Sequence, residues 1–133
     1  MQFEVTADNE KIKKYLEMIT TSVLKELKLT RSRKTLLIML GDDAEHMGST
    51  VKLGDIIFVA LNSNQTLFEL GKTLAHELVH VKQFALGLLR HGKRGVTFWR
   101  GVKFGAKTPY LQRPWELQAF AKQEILLRLA LEE

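Results

Sequence analysis

Apolar residues recur at helical spacing through 11–29, at Ile12, Tyr15, Leu16, Ile19, Val23, Leu24 and Leu27, which predicts an amphipathic helix. Before it, QFEVTA alternates between apolar and polar positions as a short edge strand does. After it, the apolar run in KTLLIMLGDD stops at Gly41-Asp42-Asp43, the pattern of a buried strand. STVKLGDIIFVALN then reads as a hairpin, turning at Gly54-Asp55 into a second apolar strand over 56–61.

The longest helical pattern follows in NSNQTLFELGKTLAHELVHVKQFALGLL. Thr66 with Glu69 three residues on fits a capping box, and Gly87 marks the end. Glycines at 92, 95, 101 and 105 punctuate the next segment, where GVTFWR and GVKFG predict a hairpin or structured loop. The chain closes on RPWELQAFAKQEILLRLALEE, a helix begun at Pro114. The order strand, helix, three strands, helix, loop, helix predicts an α+β fold, a small antiparallel or mixed sheet covered by helices. No repeat, linker or low-complexity tract interrupts it.

Composition narrows the class. At 133 residues, 45% hydrophobic and 26% charged, the chain has the size and apolar content of one ordinary domain over 1–133. The absence of cysteine excludes a disulfide framework, a zinc ribbon and thiolate chemistry. The N-terminus lacks the pattern of a signal peptide and no apolar run reaches membrane-spanning length, so a soluble, cytoplasmic protein with no membrane partner is expected. Net charge is +5, but it is uneven. Between 78 and 113 the basic residues are Lys82, Arg90, Lys93, Arg94, Arg100, Lys103, Lys107 and Arg113, with no acid among them. With Phe98, Trp99, Phe104, Tyr110 and Trp115 interspersed or adjacent, this face is a candidate nucleic-acid surface. Packing of those aromatics over the preceding helix is the plainer alternative.

The sharpest chemistry lies in His76, Glu77 and His80. Four residues advance about 400° on an α-helix, so the two histidines share one face about one turn apart. Glu77 lies about 100° round from His76, near enough to reach water at an ion that the histidines hold. Two ligands and a general base is what a metallohydrolase needs. The apolar stripe of Leu74, Leu78, Val81, Ala85 and Leu88 would pack without any metal, but the motif itself arises by chance in only on the order of one such chain in a hundred. A zinc site needs a third protein ligand. Glu116, in the first turn of the last helix behind Pro114 and Trp115, and His91 are the two candidates, between which the resemblances below lead to Glu116. His46, in the polar loop DDAEHMGS, reads as a surface residue.

LAHELVHVKQF on a capped helix after a strand resembles the active-site helix of the zincin metallopeptidases. The metzincin branch requires glycine and histidine where Gln83 and Leu86 stand, and is excluded. Gluzincins take their third ligand from a glutamate on a downstream helix, some within a Glu-x-Glu/Gln-Ala pattern that ELQA over 116–119 is similar to. The HELVHVKQ helix, a segment with glycine and tryptophan, and PWE also resemble small phage-encoded metallopeptidases, over 56–123. The resemblance implies a minimal zincin-like domain that cleaves peptide or protein substrates. It implies Zn2+ on His76, His80 and Glu116, with Glu77 as general base. Many gluzincins hold a ligand histidine with an aspartate four residues after that glutamate; Phe120 stands there, so Gln118, Gln83 or a backbone carbonyl must serve instead. The SprT-like proteases, which act beside DNA, offer a second resemblance in LRHG and TFW, and would make His91 the third ligand. Tyr110, His91 and Arg113 are candidate oxyanion stabilisers. A zincin-like domain that only recognises a protein partner is disfavoured by the intact histidines and Glu77.

Overall fold

A computed structural model describes residues 1–42 and 46–132. Along the chain run β1 (Gln2–Thr6), α1 (Glu10–Glu26), β2 (Thr35–Gly41), β3 (Gly48–Leu53), β4 (Ile56–Asn62), α2 (Leu67–Ala85), β5 (Leu89–His91), β6 (Thr97–Trp99), β7 (Val102–Phe104) and α3 (Pro114–Glu132). The fold is α+β, with one mixed and one antiparallel sheet.

The first sheet has the order β1-β2-β4-β3. β1, β2 and β4 are parallel, with α1 as the crossover that lets β1 and β2 run the same way. β3 is antiparallel to β4 and lies at the sheet edge; the chain reverses at Gly54, whose φ of +61° suits the tight turn after Leu53. β1 holds the opposite edge, as its alternation predicts. β2 ends at Gly41; Asp43, the last residue of the Gly-Asp-Asp stop, lies outside the described residues.

Alternate residues Leu36, Ile38, Ile57, Val59 and Leu61 are completely buried or nearly so, and share a core with Leu16, Ile19 and Val23 of α1 and Leu74, Leu78 and Val81 of α2. Met39 and Val51 face solvent, so one sheet face is covered and the other wet. Asn9 caps α1, its side chain accepting from the Ile12 amide at 3.1 Å. α1 stops at Glu26 rather than near residue 29, because Lys28 takes a left-handed φ of 60° and turns the chain away. Thr66 caps α2 by accepting from the Glu69 amide at 3.2 Å, and Gly87, at φ +72°, carries the chain out of it.

Beyond α2 the expected hairpin is present as β6–β7, but β5 adds a third strand, pairing Leu89 with Trp99. Trp99 and Trp115 are buried with ring centroids 6.4 Å apart, and Phe104 meets Trp115 edge-on at 5.3 Å. These rings fasten the small sheet to the start of α3, which packs along α2 and α1. That packing brings the first turn of α3 against the middle of α2. No described helix is long and apolar enough to cross a membrane.

Candidate metal centre

α2 is buried along most of its length, and its polar core residues are His76, Glu77, His80 and Gln83. The two imidazoles sit one turn apart with centroids at 4.9 Å and planes at 83°. Both point Nε2 at one atom: Glu116 Oε1 lies 2.9 Å from His76 Nε2 and 2.9 Å from His80 Nε2. Among the described residues, His76, His80 and Glu116 form a group whose potential ligand atoms all lie within 4.8 Å of one another.

The other ring nitrogens decide what this convergence means. His76 Nδ1 is 2.8 Å from Gln123 Oε1, and His80 Nδ1 is 2.7 Å from Gln83 Oε1. The Gln83 amide is oriented by its own donors, which go to the Trp115 carbonyl at 3.0 Å and Gln118 Oε1 at 2.9 Å. An amide oxygen can only accept, so each Nδ1 carries the ring proton and each neutral ring presents a bare Nε2. Two lone pairs then each face one carboxylate oxygen at 2.9 Å, which is repulsive unless positive charge lies between them. Protons can supply that charge: burial lowers the pKa of His80, but the hydrogen bond and charge of Glu116 raise it further. Burial alone would lift the Glu116 carboxyl; the two histidines outweigh it and hold it far below the usual carboxylate range. A single divalent cation serves the same arrangement. Ligands about 2.0–2.1 Å from a tetrahedral zinc lie roughly 3.3 Å apart, within a few tenths of an ångström of the two nitrogen–oxygen distances here. Two imidazoles with pinned tautomers and one carboxylate fit that ion.

Glu77 projects from the same turn without joining the three. Its Oε1 accepts from Thr50 Oγ1 at 2.8 Å, and its Oε2 is 4.0 Å from His76 Nε2. Burial raises its pKa, although His80 and Thr50 pull it down. Gly48 lets β3 come this close: a Cβ there would lie 2.7 Å from Thr73 Cγ2 and 3.0 Å from Glu77 Cγ. On the other side, the Tyr110 hydroxyl donates to Glu116 Oε1 at 3.1 Å. Partial burial and the Glu116 charge keep that phenol protonated well above its ordinary range.

The site opens into a cavity of about 630 Å³ between the β3 edge and the segment from β5 to α3. His91 lines it from β5 but stands against Phe84, ring centroids 5.2 Å apart, outside the converging group. His46 is exposed, as expected, yet lies on the cavity wall. Arg113 also lines it. Gln83 holds His80, whereas Gln118 reaches the histidine only through Gln83. Phe120 does not support a ligand by hydrogen bonding; its ring packs on His76 at 4.7 Å. Thr50, Gly48 and Gln123 were not anticipated. Gln123 had a signal, since it falls seven residues after Glu116 and so on the same helix face. Thr50 had none, because an edge strand says nothing about which helix it approaches.

The basic segment divides. Arg90, Lys93, Arg94, Arg100, Lys103 and Lys107 are exposed, but Trp99 and Trp115 are buried and Phe98 lies beneath Arg90 at 4.3 Å. Packing thus accounts for the tryptophans. Set against family models, curated proteins and solved structures, the chain matches none.

Proposed function

We propose that the protein is a zinc-dependent peptidase of the zincin type, with His76, His80 and Glu116 as ligands and Glu77 as general base. The observation that carries this is the meeting of two bare Nε2 atoms on one carboxylate oxygen, with both Nδ1 atoms committed to glutamine carbonyls. Zinc held by these three residues would supply a Lewis acid able to acidify water and polarise a carbonyl. Glu77, buried and oriented by Thr50, takes the proton of the attacking water and returns it to the leaving amine. The Tyr110 hydroxyl, which donates to Glu116 Oε1 at 3.1 Å, would turn from it to donate to the oxyanion. Gln83 and Gln123 hold the imidazoles in the tautomer required.

Metal analysis of the purified protein tests the reading. One zinc per chain is expected, lost in His76→Ala, His80→Ala and Glu116→Ala and retained in His91→Ala. Zinc that survives Glu116→Ala but not His91→Ala would replace this ligand set with the SprT-like one. Peptide hydrolysis should vanish in Glu77→Gln while zinc stays bound.

The six exposed cations on and around the small sheet support a second role, contact with nucleic acid. Salt-dependent binding of single-stranded DNA that is unchanged in Glu77→Gln would establish it separately from peptidase activity.

A further inference from the structure

A second, smaller cavity of about 190 Å³ lies beside the first, and the two share His91, Arg113, Trp115 and Glu116 as lining residues. Small residues, Gly95, Gly105 and Ala106, line the smaller space and leave it open. Phe84, Leu89 and Trp115 give the larger one apolar walls on the approach. A substrate side chain entering here would pass its methylenes along apolar rings and end among His91, Arg113 and Thr97.

The charges at that end are unbalanced. Arg113 is half-buried; its Nε donates to the Thr108 carbonyl at 3.1 Å and its guanidinium lies 5.6 Å from the Tyr110 ring centroid. Among the described residues no carboxylate lies within ion-pairing distance of it. The acids lining the cavities are Glu77 and Glu116, and both are engaged, by Thr50 and by the two histidines with Tyr110. Lys72, the other basic cavity residue besides the histidines, lies 3.9 Å from Glu124. A guanidinium fixed at Nε keeps its Nη donors, the fork that matches a carboxylate, for a ligand.

Resting on the peptidase reading above, we propose that Arg113, with His91 lining the same cavities, forms a carboxylate-binding subsite that selects substrates bearing an anionic group close to the cleaved bond. That group is an acidic side chain or the free C-terminus of the substrate. Arg113 thereby acts on specificity rather than on the chemical step.

Binding can be read without turnover in the zinc-loaded Glu77→Gln protein. Fluorescein-labelled peptides would be compared in pairs, glutamate against glutamine at each position flanking the cleavage site, and free against amidated C-terminus. The carboxylate member of one pair is expected to bind about tenfold more tightly, the worth of one charge-assisted contact. Which pair shows the effect identifies the source of the anion. Arg113→Gln should erase the difference, Arg113→Lys should keep part of it, and Lys11→Gln, an exposed charge on α1, should leave it whole. In the otherwise wild-type enzyme Arg113→Gln should raise KM for the preferred peptide, with kcat held within about twofold. Peptide hydrolysis with no carboxylate preference, or a preference that persists in Arg113→Gln, overturns the subsite and leaves the peptidase standing. A zinc-loaded wild-type protein that neither binds nor cleaves any peptide overturns both.

Discussion

Gln83 Oε1 lies 2.7 Å from His80 Nδ1, three residues back on the same helix, while Gln83 Nε2 donates to the Trp115 carbonyl at the start of α3. One buried amide therefore aims a histidine and ties its helix to the turn that carries Glu116. Gln83 is 1% exposed, so water cannot replace any of these bonds. Replacing it by leucine should strip the ring of its orienting partner and remove the side-chain donor that ties the Trp115 carbonyl to α2. We expect a loss of about 1–3 kcal/mol in metal-free stability and about 10–100-fold in zinc affinity. Denaturant titration and competition with a chromophoric chelator measure the two separately; a variant with wild-type zinc affinity would show that the amide only packs.

Removal of metal should be felt as lost stability. A ligand that binds only the folded chain at about a thousand times its Kd stabilises it by about 4 kcal/mol. Chelation is expected to lower Tm by several degrees and zinc to restore it. His91→Ala should follow the wild type in both steps, and Glu116→Ala should show neither.

The β3 edge predicts a defect in chemistry without loss of metal. In Gly48→Ala the new methyl would press on Thr73 Cγ2 and Glu77 Cγ, and either β3 or the Glu77 side chain must move. Because a displacement on the order of 1 Å can cost about 10²-fold in rate, kcat should fall by that order while zinc content stays at one per chain. Zinc content and kcat measured on the same preparation check it. Unaltered kcat would mean the neighbours give way without disturbing Glu77.

Acid should weaken the turn of the β3–β4 hairpin. Asp55 accepts from Lys34 Nζ at 2.8 Å, and that hydrogen bond, with the Lys34 charge, lowers its pKa. A lowered carboxyl adds stability above its unfolded value of about 3.9 and loses it as pH falls toward the folded one. The Tm difference between wild type and Asp55→Asn should therefore be full at neutral pH, small because the pair is exposed, and should close below about pH 4. Melting curves from pH 2 to 7 read it directly, and a difference that does not shrink as pH falls below about 4 would contradict the pairing.

Much of this protein is written in short-range pattern. The spacing of His76 and His80, the cap at Thr66, the turn at Gly54-Asp55 and the start at Pro114 each follow from residues within one or two turns of one another, where helical and strand periodicity decide the geometry. Strand β5 escaped because three residues are too few to show a period, and the end of α1 because nothing local demands a left-handed Lys28. Glu116 could be nominated from its place at a helix start, but its convergence with the histidines rests on contacts 36 and 40 residues apart along the chain. The same holds for Thr50 on Glu77 and Gln123 on His76, separated by 27 and 47 residues. No periodicity spans such distances. They are settled by how the buried faces of α2 and α3 and the β3 edge pack around one core, which decides which side chains meet. The sequence alone determined two histidines on one face of a helix; only the tertiary packing decided what faces them.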